Sequence, residues 1–177
     1  MRKIVWMAAI AFLVMFPAVF FEDPASGEGT GDVLFYEINP IGDFEGISLF
    51  NYGSQDVNLK GWSLSDTEGT LSFTGNIYVQ AGTRITIAKS SSADDWFSGR
   101  DRVITFDDDR IQKKGSFVLA NTGDDVFLYK GDMLMDSVCY GNKPTEYGWK
   151  GEPVDLPSSK YLLRISSYDT DTLSDWI

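Results

Sequence analysis

Val57-Asn58-Leu59-Lys60-Gly61-Trp62-Ser63-Leu64-Ser65-Asp66 is the stretch on which the fold turns. Gly61 is a turn residue after Leu59, and Trp62 and Leu64 then share one face of a strand at period two. Ser63 and Ser65 take the opposite face, and Asp66 opens the next turn. A tryptophan aimed inward removes roughly 150–250 Å² from water. At about 25 cal/mol per Å² this is on the order of 4–6 kcal/mol before ordering entropy is subtracted. Trp62 is therefore expected as the central plug of a β-sandwich core rather than as a ligand-stacking ring.

Strand signals recur on both sides of it. Val33 to Ile38 is stopped by Asn39-Pro40, and Gly46 to Tyr52 alternates until Gly53-Ser54. Leu71-Ser72-Phe73 leads through Gly75-Asn76 to Ile77-Tyr78-Val79 and a turn at Ala81-Gly82. Arg84 to Ala88 places Ile85 and Ile87 on one face. Val103 to Phe106, Phe117 to Leu119, Val126 to Tyr129 and Val138 to Tyr140 complete the set. Ser92 to Phe97 reads as one helical turn, capped by Ser92 with Asp94 and Asp95 at its positive end. Many short strands separated by turns, with no internal repeat, predict an all-β, immunoglobulin-like β-sandwich.

Composition narrows the chemistry. The 177 residues carry a formal net charge of −11, a field that repels nucleic-acid phosphates and anionic membrane surfaces. There is no histidine, which excludes Ser-His-Asp and Cys-His catalysis, histidine phosphoryl transfer and His-ligated zinc. A single cysteine, Cys139, excludes an intrachain disulfide and a Cys-rich metal site. Its strand-like setting, Ser137-Val138-Cys139-Tyr140, makes it a small hydrophobe rather than a nucleophile.

At the amino terminus Arg2 and Lys3 precede an uncharged run from Ile4 to Phe21. A basic flank before an apolar stretch is read as an export signal, either a cleaved peptide or an uncleaved anchor helix. The expected organisation is a signal or anchor over 1–21 and a polar linker over 22–31. The sandwich follows over 32–142, and a C-terminal extension over 143–177 completes or follows it. The positive flank stays inside, so the rest is expected outside the cytoplasmic membrane, secreted or held by the N-terminal helix alone.

The order of these pieces resembles the lamin tail domain, an immunoglobulin-like module also found in exported prokaryotic proteins. The resemblance runs from Val33-Leu34-Phe35-Tyr36-Glu37-Ile38-Asn39 through Glu45 to Gly53 and the Trp62 segment. It continues through Ile77 to Ala88, Phe117 to Leu128 and Asp136-Ser137-Val138-Cys139-Tyr140-Gly141. One departure is Glu45-Gly46-Ile47-Ser48, where the family usually carries a Glu-Trp-Val-Glu-like strand. The tail, Lys160-Tyr161-Leu162-Leu163-Arg164, then Asp169-Thr170-Asp171-Thr172 and Asp175-Trp176, resembles the ending of prokaryotic versions. Those versions often sit beside a phospholipase D-like or endonuclease/phosphatase-like hydrolase. The sandwich pattern, the export signal and the missing catalytic residue types lead to the expectation of a non-catalytic module that binds a protein or a cell-surface polymer; the resemblance implies the alternative, an accessory domain of an exported hydrolase. The sequence past Ile177 discriminates between the two.

Candidate sites are few. Asp107-Asp108-Asp109, Asp94-Asp95 and Asp124-Asp125 are carboxylate runs, but neighbours on a strand point to opposite faces and build no catalytic dyad. Hard cations take several loop oxygens, so Asp107, Asp109, Asp169 and Asp171 are the candidate calcium ligands. Trp96, Tyr147, Trp149 and Trp176 lie in loop-like stretches and are the candidate partner-binding aromatics. Asn121-Thr122-Gly123-Asp124 reads as a turn.

Overall fold

The computed structural model describes residues 33–93, 102–143, 147–156 and 161–177. Among these residues twelve strands are formed: β1 (Val33–Asn39), β2 (Gly46–Asn51), β3 (Val57–Asn58), β4 (Trp62–Ser65), β5 (Gly69–Phe73), β6 (Tyr78–Val79), β7 (Arg84–Ala88), β8 (Arg102–Thr105), β9 (Ile111–Gly115), β10 (Gly123–Lys130), β11 (Met133–Gly141) and β12 (Leu162–Leu163). One sheet has the order β12-β1-β2-β7-β8 and the other β11-β10-β4-β5-β9, with β3 and β6 paired separately. All pairings are antiparallel except β7 with β8.

Alternation explains the layering. In β4 and β5, Trp62, Leu64, Leu71 and Phe73 are buried while Ser63, Ser65, Thr70 and Ser72 are half-buried on the other face. From the opposite sheet Phe35, Ile38, Ile47, Leu49, Ile85 and Ile87 enter the same cluster, so both sheets close over one core. Trp62 belongs to that core, but it is not the central plug expected from sequence. Its ring lies 5.7 Å from Lys130 Nζ, a solvent-side cation, and the largest fully enclosed side chains are Tyr140, Phe35, Phe73 and Phe117.

Two further expectations differ from the structure. Phe117 to Leu119 is not a strand; β9 takes the place beside β5, and 117–120 runs as a loop whose amides bond to side chains. β9 itself, Ile111-Gln112-Lys113-Lys114-Gly115, has one buried apolar residue and gives no alternation to read. The loop passes so close to β5 that a Cβ on Gly69 would strike the backbone of Ser116 and Phe117. The helical turn expected at Ser92 to Phe97 lies mostly outside the described residues, as do the N-terminal signal or anchor segment and linker. Among the described residues no helix is long and apolar enough to cross a membrane.

Candidate functional site

The C-terminal segment delivers one buried cation to the sandwich. Leu162 and Leu163 pair with Ile38 and Glu37 of β1, and this register turns the next residue, Arg164, inward. Arg164 donates from Nε to Phe35 O at 2.7 Å and from Nη2 to both oxygens of Asp136 at 2.8 Å. Its Nη1 lies 3.3 Å from Asp169 Oδ1 and 3.6 Å from Asp175 Oδ2. Trp176 covers the guanidinium, with its ring centroid 4.8 Å from Cζ. Asp136 Oδ2 also accepts the Phe35 amide at 2.7 Å. Three carboxylates thus share one guanidinium with no solvent beside it. Burial pushes the Asp136 carboxyl up to about 8, against the pull of Arg164 and with the nearby Asp169 and Asp171 adding to the rise. Burial raises Asp169 as well.

A second set of carboxylates holds the 117–120 loop. Asp66 Oδ2 accepts the Val118 amide at 2.6 Å, Glu45 Oε1 the Leu119 amide at 2.9 Å, and Asp124 Oδ2 the Ala120 amide at 3.0 Å. Tyr140 donates its hydroxyl to Ala120 O. Three consecutive amides that lack a strand partner are each satisfied by a different buried acid, as buried N–H groups require. Asp66 also takes the Glu68 and Gly69 amides, closing the β4–β5 turn. Burial raises Asp124 to about 6 despite the Ala120 and Asp125 amides that favour its ionised form. Cys139 is buried, and burial drives its thiol far above the ordinary range, so it is no nucleophile at neutral pH.

The residues singled out from sequence are distributed as follows. Asp107 is exposed, and Asp109 is 97% exposed at its side chain; Asp108 between them is clamped by Arg110 at 2.7 and 2.6 Å, which holds its carboxyl well below the usual range. Asp169 and Asp171 come together with Asp136 instead, with one oxygen from each within 4.8 Å of the others. These three could hold a hard cation, but Arg164 already bonds both oxygens of Asp136, and Lys150 lies 3.3 Å from Asp171. Of the aromatics, Tyr147 is 75% exposed. Trp149 is buried and donates to Glu152 O, and Trp176 is buried against Arg164. Trp96 lies outside the described residues. Sequence reading missed Asp136, Arg164, Asp66, Glu45 and Asp124 as a group, because all but Asp124 are far in the chain from the loop amide or charge they meet.

A family model described as Lamin Tail Domain matches residues 26–142. No curated protein matches the chain.

Proposed function

Because the chain belongs to the lamin tail domain family, an immunoglobulin-like fold, we propose that it is a non-catalytic binding module that acts outside the cytoplasmic membrane on a protein or a surface polymer. One observation carries this reading. The buried carboxylates described above are engaged by backbone amides or by Arg164, so the acids that could do proton-transfer chemistry instead hold the fold. With no histidine in the chain and Cys139 buried, the described residues present no Ser-His or Cys-His nucleophile–base pair to solvent. The export signal read at residues 1–21 supports the location.

The test uses the purified full chain in two measurements. It is expected to show no turnover of ester, phosphodiester or glycoside substrates above a buffer blank, and to co-sediment with delipidated cell-envelope material. Turnover, or absence of co-sedimentation, overturns the proposal. Calcium plays no part in this reading. The melting midpoint with calcium and with chelator is expected to agree within about a degree, since an occupied site would stabilise by mass action.

A further inference from the structure

We propose that the outer face of β4, β5 and β9, bordered by Tyr129 and Tyr147, is a platform for a neutral polysaccharide chain. This rests on the binding-module reading above and names its partner class. The register sets Ser63 opposite Ser72 and Ser65 opposite Thr70, and then Gln112 and Lys114 opposite Ser72 and Thr70. Cross-strand Cβ atoms are about 5 Å apart and same-face neighbours along a strand about 7 Å, so these groups form a regular lattice. Ser65 donates to Gly69 O, but the side chains of Ser63, Thr70, Ser72 and Gln112 make no hydrogen bond to another described residue.

The lattice ends at an aromatic step. Tyr129 stands opposite Ser63 on the same face. Beyond it the β10–β11 half of the sheet is covered by the segment after Tyr147. A Cβ on Gly148 would meet Leu134 Cδ2 at 2.6 Å and Ser137 Oγ at 3.0 Å, and Trp149 and Val154 are buried beneath. Tyr147 itself stays exposed, next in the chain to Gly148, which packs on Leu134, the residue opposite Tyr129. A floor of hydroxyls with tyrosine rings along one border suits a sugar polymer. Each sugar offers an apolar C–H face to a ring and hydroxyls to groups that both donate and accept.

Charge argues for a neutral polymer. In a chain of net charge −11, none of the floor positions is a carboxylate, and Lys114 is the only ionic group among them. The floor itself carries no Trp, Tyr or Arg, the residues that dominate protein interfaces, and its tyrosines stand only along one border.

Affinity electrophoresis of the full chain tests the proposal, using native gels cast with hydroxyethylcellulose, a soluble β-1,3-glucan or a galactomannan, and alginate as an acidic control. At least one neutral gel is expected to slow the chain relative to a polymer-free gel. Tyr147→Ala and Ser72→Glu are each expected to abolish that retardation with the melting midpoint within about two degrees of the parent. Both positions face solvent, and Thr70→Glu serves if either variant fails to fold. Retardation by none of the neutral polymers, by alginate alone, or equally in parent and variants overturns the assignment. If the chain still co-sediments with envelope material and protease treatment of that material removes the binding, the partner is a protein: the polysaccharide assignment falls and the binding-module reading stands.

Discussion

Removing the guanidinium of Arg164 leaves Asp136 enclosed with only the Phe35 amide for a partner, and leaves Phe35 O without its donor. Breaking a buried pair from one side costs about 3–5 kcal/mol, a large share of the roughly 5–15 kcal/mol by which domains are stable. Arg164→Met is therefore expected to lower the urea midpoint severely. Arg164→Lys recovers only part, because an ammonium cannot reach Phe35 O and both Asp136 oxygens as a planar fork does. Equal midpoints for the two variants would show that the fork geometry is unimportant. The buried acids also fix the pH response. Asp124, raised to about 6, binds a proton more tightly folded than unfolded. Its contribution is fully present below the unfolded carboxylate range and is lost as pH rises through about 6. Asp108, held low by Arg110, acts in the opposite sense and matters only below about pH 4. Urea unfolding is expected to show greater stability at pH 5 than at pH 8.5, with Asp124→Asn reducing the difference. A midpoint that climbs from pH 5 to pH 8.5 would contradict this.

At the scale of the element, sequence legibility follows burial pattern. β4, β5 and β7 were readable because each lays a hydrophobic file on the core at period two, and Gly82 at φ +68° marks the turn before β7. β9 was not, since an edge strand needs one inward side chain, Ile111, and otherwise faces water. Phe117-Val118-Leu119 alternates as a strand would, yet its amides go to Asp66 and Glu45, acids far away in the chain. Alternation reports which side chains are buried and says nothing about where backbone hydrogen bonds go. The polar composition of β9 has its own consequence. Lys113 and Lys114 line an outer edge of the second sheet, where charge discourages pairing with another chain. The double substitution Lys113→Val with Lys114→Val is expected to shift elution on size-exclusion chromatography toward soluble aggregate, with little loss of strand content by circular dichroism. A profile unchanged at high protein concentration would mean that the edge is protected in some other way.

For the molecule as a whole, the family match stops at residue 142 while the first sheet does not. Leu162 and Leu163 supply the strand beside β1, the Arg164 amide donates to Tyr36 O, and Ile177 pairs back onto Leu163. The same segment carries the only cation beside Asp136 among the described residues, and Val154 bonds to Cys139 and Gly141 along the edge of β11. A chain ending after Asn142 would expose the β1 edge and leave Asp136 without Arg164. It would also uncover Phe127 and Cys139 on the face that the segment after Tyr147 covers. Three of the known routes to severe destabilisation then coincide: an unpaired buried charge, lost backbone bonds and uncovered apolar surface. The truncated chain is expected to lose its cooperative urea transition and to bind a dye that reports exposed apolar surface, while keeping some strand signal. A cooperative transition within about 1 kcal/mol of the full chain would instead make the last thirty-five residues an appendage, and Arg164 a surface latch rather than part of the core.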